Sequence, residues 1–361
     1  MKTLDNFPVI DFIEEEIAAK SFPGAALLVA QNGKQILEYY CGTYCNGELN
    51  DIPLDGGVSH MFYSFSKGIT ATAIVLAHQI NLIDYDAPLS TYIPEYRGGL
   101  KDLTTIRHLL THSSGIPNCK LKAVATEEEW RDAVQTCCKA EVEWMPGSRT
   151  QYHSHSGTLL AAEAVRRCLD MRSWQDICSE WIFKPIGAKT LTFHVPEDRP
   201  VALTHQPDVL PCSISTAYAS NLGHPGAGCF GGIKDIIKVL QFHLNSGQWN
   251  GRMIINPDEL AEMHRVQYED RIVKAEKSAK TTVHEPWGLG WLIKRNLAEH
   301  GFGFGNATSA KSFGHAGIDT VMALSDPEQH VAIAFIATGS LGKETARIRN
   351  KITDLVVESL S

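Results

Sequence analysis

Two pairs of strand-like runs at opposite ends of the chain constrain the fold more than any other feature. Near the N-terminus, "GAALLVAQNGKQILEYYCG" sets two apolar runs around Asn32-Gly33, a dipeptide that strongly favours a two-residue hairpin turn. Near the C-terminus, "IDTVMALSDPEQHVAIAFIATGS" repeats the arrangement around Asp326-Pro327. The middle of the chain is different in kind. It carries the helical patterns "TIRHLLTHSSGIP", "TEEEWRDAVQTCCKA" and "GTLLAAEAVRRCL", separated by Pro and Gly clusters. Val9, Phe12, Ile13 and Ile17 predict a helix over 8–19, "GGIKDIIKVLQFHLNSGQ" predicts one ending near Gly247, and "ETARIRNKITDLVVESL" predicts an amphipathic terminal helix. A chain of 361 residues exceeds the usual size of a single core, so two lobes are expected. The predicted class is α/β in the α+β sense: an antiparallel sheet built from both chain ends, flanked by the terminal helices, with an inserted helical lobe. We place the sheet lobe at residues 1–58 and 225–361, the helical lobe at 59–224, and a site in the cleft between them. Residues 269–285, "EDRIVKAEKSAKTTVHE", have little apolar content and read as an exposed loop.

Composition narrows the partners. The formal net charge is -8, without the basic excess that nucleic acid or an anionic membrane surface would select. No run approaches the roughly 20 apolar residues of a membrane helix. The opening "MKTLDNFPVIDFIEEEIAAK" interrupts its apolar residues with charge and proline, which leaves no room for a signal sequence. Nine cysteines form an odd set with no regular framework and read as reduced thiols. The expectation is a cytoplasmic protein acting on a small molecule, with no cofactor, no metal and an oligomeric state that the sequence does not specify.

Chemistry is suggested by "FYSFSKGITATAIVLAHQI", where Ser64 and Lys67 lie three apart at the start of an apolar helical run. That spacing puts both side chains on one helix face, where a partly desolvated lysine can take the proton of a serine hydroxyl. The tetrapeptide is weak evidence alone, since Ser340-Leu-Gly-Lys343 repeats it. Gly342 would loosen that second copy, and Ser340 reads as a cap before the terminal helix. The mechanism also needs a second proton carrier and a facing strand. Tyr-x-Asn/Ser occurs at Tyr44, Tyr152 and Tyr218, and His-x-Gly at His155, His224 and His315. Each element is therefore ambiguous by itself. His108 and His112, four apart on a predicted helix, can in principle bind zinc, but no Glu follows His108 and packing is the better reading. His153 and His155 flank Tyr152 and can tune it. Cys137-Cys138 lies on a helical pattern that would bury one thiol and expose the other. Tyr63, Phe65, Trp287, Trp291 and Phe313 fall near the motifs and can equally wall a pocket or fill a core.

Order and context choose among these alternatives. "FPGAALLVAQNGK", "FSKGITATAI", "TIRHLLTHSSGIP", "WMPGSRTQYHSHSGTLLA", "GHPGAGCFGGIKDIIKVLQFHLNSG", "PWGLGW" and "FGHAGIDTVMALSDPEQHVAIAFI" follow one another along nearly the whole chain. In these blocks the chain resembles the serine β-lactamase and penicillin-binding-protein superfamily, in its branch of class C β-lactamases, D-amino-acid peptidases and family VIII carboxylesterases. The resemblance implies that Ser64 is acylated, that Lys67 helps to deprotonate it, and that Tyr152 shuttles protons. It implies that His315 and Gly317 line the opposite wall and that the backbone N–H groups of Ser64 and Ile318 form the oxyanion hole. Two residues depart from the β-lactamase pattern. Ser154 replaces the usual asparagine of the middle motif, and His315 stands where lysine usually supplies a fixed positive charge for the substrate carboxylate. The expected function is a serine hydrolase acting through an acyl-enzyme, a carboxylesterase on small-molecule esters. The alternatives are an acyltransferase or transesterase, a β-lactamase, a D-amino-acid amidase or peptidase, and a non-catalytic scaffold or sensor.

Overall fold

Asn32 and Gly33 both adopt left-handed backbone, with φ of 51° and 75°, and close the first hairpin between β1 (Gly24–Gln31) and β2 (Lys34–Tyr44). Left-handed φ at both central residues matches the turn to the strand twist. In the computed structural model the described residues are 7–49, 51–153, 155–204, 221–268, 285–295, 302–318 and 320–360. Further short strands are β3 (Ile52–Pro53), β4 (Ser59–Met61), β5 (Val201–Ala202), β6 (Phe230–Gly231), β7 (Gln248–Trp249), β8 (Arg252–Met253) and β9 (Leu292–Ile293). They are followed by β10 (Phe313–Ala316), β11 (Val321–Asp326) and β12 (Val331–Ala337). The large sheet runs β3-β2-β1-β12-β11-β10-β9, with every pairing antiparallel. Both predicted hairpins thus lie side by side at its centre.

The centre of this sheet is buried on both faces. Ala26, Leu28 and Ala30 of β1 join Ala332, Ala334 and Ile336 of β12 in one core, while Ala25, Leu27 and Val29 join Ile333 and Phe335 in the other. Alternation along each strand makes that division, and burial of both faces explains why these strands read as continuous apolar runs. One face carries the terminal helices α1 (Pro8–Ala18) and α9 (Thr345–Glu358), which pack on each other. The helices between them are α2 (Ser66–Gln79), α3 (Ile106–Leu110), α4 (Glu127–Lys139), α5 (Ser156–Cys168), α6 (Trp174–Cys178), α7 (Ile233–Leu244) and α8 (Pro257–His264). α2 is buried from Ser66 through Ala77 and packs against α5, α6 and α8, while α7 lies on β1, β11 and β12. A helix buried on nearly every side belongs at the centre of the packing, and its polar residues there are hydrogen-bonded: Thr70 to the Pro225 carbonyl oxygen and Thr72 to the Gly68 carbonyl oxygen. The antiparallel sheet with terminal helices and a helical insertion is the fold class expected from the sequence.

Cys45 is disulfide-bonded, which corrects the expectation of nine reduced thiols. Cys137 and Cys138 are both buried, at 0% and 8% exposure, so the expected split between an inner and an outer thiol does not hold. Cys138 turns inward because the C-terminal end of α4 is itself covered. Lys101 donates to the Cys138 carbonyl oxygen there at 2.8 Å. Among the described residues no helix is long and apolar enough to cross a membrane. Most of the expected exposed loop, residues 269–284, lies outside the described residues.

Candidate active site

The chain leaves β4 through a single 3₁₀ turn, Tyr63–Phe65, and runs directly into α2. Ser64 lies in that turn and Lys67 one turn further on, with only 1% of its surface exposed. Lys67 Nζ is 3.2 Å from Ser64 Oγ and 2.9 Å from the Gly226 carbonyl oxygen, to which it donates. From the irregular segment ahead of α5, Tyr152 donates its hydroxyl to Ser64 Oγ at 2.7 Å. Lys67 Nζ also stands 5.1 Å from the centre of the Tyr152 ring. Residues 64, 67 and 152 are therefore one hydrogen-bonded cluster, drawn from two separate stretches of chain.

Burial sets the protonation of this cluster. Among the described residues no carboxylate pairs with Lys67, and desolvation pushes its ammonium down to about 7. Burial pushes the Tyr152 hydroxyl well above its ordinary value, and its bond to Ser64 offsets this only in part. Near neutral pH, Tyr152 thus holds its proton while Lys67 is poised to give up its own. A neutral amine keeps two N–H groups, one of which can stay on Gly226, and gains a lone pair for the Ser64 proton.

The opposite wall is the end of β10. His315 is buried, and its Nδ1 donates to the Ala316 carbonyl oxygen at 2.8 Å. Desolvation is the main cause that pushes its imidazole down to about 3, with the neighbouring Lys67 adding to it, so His315 itself is uncharged. Tyr152, Trp287 and Phe302 surround the ring, with centroids 6.0, 5.6 and 5.8 Å away. A Cβ on Gly317 would stand 2.6 Å from the Phe62 carbonyl oxygen and 3.2 Å from Tyr63 Cβ. The absence of a side chain there lets the strand end close on the turn that carries Ser64. Arg349 of α9 donates to the Gly317 carbonyl oxygen at 2.6 Å and fixes that approach from behind. Ile318 follows on the surface at 55% exposure. Ser154 lies outside the described residues.

Sequence reasoning passed over several neighbours of the cluster. Gly226 belongs to the His224-Pro-Gly226 decoy, yet its carbonyl oxygen holds Lys67, and Pro225 accepts from Thr70 Oγ1 at 2.5 Å. That segment is fastened to α2 at two side chains three residues apart. Only the glycine-rich run around it hinted at a close backbone approach. His155, the other decoy, pairs with Asn221 Oδ1 at 2.5 Å and meets the His224 ring edge-on. Of the five aromatics singled out, Trp287 stacks on Tyr152, while Phe65, Trp291 and Phe313 form edge-on pairs within the core. The suspected zinc pair divides: His108 completes a capping box with Thr105, and His112 packs against Tyr152. Among the described residues no group of three metal-binding side chains occurs.

Comparison with known proteins identifies the family of the chain. The family model described as Beta-lactamase matches residues 9–358. A beta-lactamase of Providencia stuartii is 24% identical over 243 residues, covering 66% of this chain. The match spans only 60% of that relative's own length. Among solved structures, a family VIII carboxylesterase superposes with a TM-score of 0.77 at 23% identity, covering 96% of each chain. EstCE1, described as a hydrolase with promiscuous acyltransferase activity, superposes with a TM-score of 0.78 at 16% identity, covering 97% of each. With the family model spanning nearly every residue, the chain belongs to the Beta-lactamase family.

Proposed function

We propose that the protein is a carboxylesterase that cleaves small-molecule esters through an acyl-enzyme on Ser64. The observation that carries this reading is the position of Ser64 Oγ, 2.7 Å from a protonated phenol and 3.2 Å from a lysine depressed to about 7. Neutral Lys67 takes the Ser64 proton as Oγ attacks the ester carbonyl, and a tetrahedral oxyanion forms in front of the Ser64 and Ile318 backbone N–H groups. Tyr152 then gives its proton to the departing alkoxide, and the Lys67 ammonium returns one to the phenolate. Water attacks the acyl-enzyme by the same route in reverse. The proton each step needs is thereby held by a group already touching Ser64.

The choice of ester over β-lactam rests on the wall opposite the serine. A carboxylate-bearing β-lactam needs a cation there, whereas His315 is neutral at any physiological pH. The likeness to a family VIII carboxylesterase and to a hydrolase with acyltransferase activity supports the same reading. The second likeness also favours transfer to an alcohol as a competing fate of the acyl-enzyme. The compartment proposed is reducing: seven of the described cysteines are free, and Cys45 alone among them is disulfide-bonded.

Intact-protein mass after treatment with a fluorophosphonate, followed by turnover of an activated short-chain ester, tests the proposal. One adduct mapped to Ser64, loss of both labelling and turnover in Ser64→Ala, and little consumption of a penicillin are expected. Turnover that survives in Ser64→Ala would overturn it.

A further inference from the structure

Tyr152 has a demanding task but no regular structure to hold it. Its hydroxyl lies 2.7 Å from Ser64 Oγ, yet residues 151–153 belong to neither helix nor strand. A tyrosine in such a segment swings unless something outside it fixes both backbone and ring. His112 touches both. The His112 carbonyl oxygen accepts from the Gln151 backbone N–H at 2.9 Å. On the other side of Tyr152, His112 Nδ1 lies 3.5 Å from the His153 backbone N and 3.4 Å from His153 Nδ1. The imidazole packs on the Tyr152 ring at 4.7 Å and fills the angle between Tyr152, His153 and Trp287, the last two with centroids 4.6 and 4.5 Å away. One side chain and its own carbonyl thus bracket the segment before, at and after the tyrosine.

The backbone of His112 records a cost. It is 1% exposed and holds φ at +55°, in the left-handed region that a residue bearing a Cβ rarely occupies. Such conformations persist where surrounding structure enforces them and gather at functional sites. Here the turn ends α3 and swings the next carbonyl and ring toward Tyr152. Burial also holds the imidazole uncharged, which leaves Nδ1 free to accept from the His153 backbone.

We propose that His112 is a positioning residue for the reaction assigned above: it clamps residues 151–153 so that the Tyr152 hydroxyl meets Ser64. It contacts Gln151, Tyr152, His153 and Trp287, and acts by way of Tyr152. The inference rests on the Ser64 acyl-enzyme reading, but its test separates the two.

Two substitutions distinguish a clamp from mere filling. His112→Asn keeps a short side chain with an acceptor oxygen and tolerates left-handed φ, whereas His112→Ala loses the ring and the acceptor. Steady-state turnover of an activated short-chain ester and the rate of Ser64 labelling by a fluorophosphonate are measured for both, with melting temperature as a check on folding. For the folded Ala variant, kcat is expected to fall about 100-fold with KM within about threefold of the parent, the effect of a misplaced catalytic group. Labelling should slow by at least about tenfold, and Asn should recover most of both rates. An Ala variant that keeps kcat within about threefold overturns the proposal, as does a loss that falls on KM, or an Asn variant no better than Ala. If the parent protein hydrolyses no ester, the esterase reading fails, and the labelling rates alone decide the role of His112.

Discussion

The chain writes Ser-x-x-Lys twice, and the two copies end in opposite environments. At residues 64–67 the serine and lysine lie in a 3₁₀ turn and the first turn of a buried helix, with Lys67 1% exposed and hydrogen-bonded to Ser64 and Gly226. At residues 340–343 the lysine is exposed, and the serine accepts from the Gly342 backbone N–H at 3.3 Å, tying down the turn before α9. Each copy has a left-handed residue beside it. In the second it is Gly342, at φ of +52°, which adopts that conformation without penalty. In the first it is Tyr63, at +46°, immediately before Ser64. A bulky residue held there costs about 1–2 kcal/mol, and the Tyr63 hydroxyl is anchored 2.9 Å from Thr204 Oγ1. The same four-letter pattern is strained and dry where the proposed chemistry would take place, and relaxed and wet where it ends a loop.

Removing the serine from each copy should give the widest contrast. Ser64→Ala is expected to lower ester turnover by at least about 10⁴-fold, as for other acyl-enzyme nucleophiles, and Ser340→Ala to leave it within about twofold. The lysines come next. Lys67→Met should cost about 10²–10⁴ in kcat as a lost general base, and Lys343→Met nothing measurable in the same assay. The former variant should melt no lower than the parent, because it removes a buried amine that must be neutral or uncompensated. That gain depends on pH in a defined direction. A lysine lowered in the folded state binds fewer protons there than when unfolded between pH 7 and 10.5, so its contribution to stability rises with pH across this window. The melting advantage of Lys67→Met should therefore be greatest below pH 7 and vanish toward 10.5. An advantage that grew with pH would refute the assignment of a depressed Lys67.

The same titration predicts the rate profile. If neutral Lys67 is the base, kcat/KM rises about tenfold per pH unit up to about 7 and then levels, since Tyr152 keeps its proton far beyond that point. An ascending limb near 9 or 10 in a pH-rate profile would mean that burial does not tune the lysine. Gly317→Ala probes the facing wall. Its Cβ would stand 2.6 Å from the Phe62 carbonyl oxygen, so either β10 or the Ser64 turn must shift. A fall of about 10- to 100-fold in kcat is expected from that displacement, and an unchanged rate would show that the strand end is free to give.

How much of this was legible in the sequence depended on whether local pattern or long-range contact decides the feature. The hairpin at Asn32-Gly33 was readable because the turn's left-handed φ values select those residue types. The central strands were readable because burial on both faces makes them continuously apolar. Lys67 was readable as a partner of Ser64 because helical spacing brings them together, and Tyr152 only because the ordered blocks around it resemble a family. The hold of Gly226 on Lys67 was invisible: the two are 159 positions apart and joined through a backbone carbonyl, which any residue possesses. The role of His112 was hidden for a similar reason. Spacing on α3 pairs it with His108, whereas the positive φ that turns His112 away from that helix leaves no mark on its residue type.

The smallest expected effect sharpens the comparison most cleanly, because it isolates the backbone. A Cβ on Gly342 would meet nothing within 4 Å, so Gly342→Ala changes no contact and only forces alanine into φ of +52°. The penalty should be about 1 kcal/mol, a drop of roughly 1–2 °C in melting temperature for a chain of 361 residues, with turnover unchanged. The second copy tolerates left-handed backbone because glycine is there, and the loop before α9 has no task that requires a strained residue. The turn before Ser64 holds the same backbone with tyrosine because packing against Gly317 and the bond to Thr204 compel it. A Gly342→Ala variant as stable as the parent would show that the loop relaxes out of the left-handed region. The contrast in strain between the two tetrapeptides would then be one of rigidity in their surroundings, and no longer one of residue type.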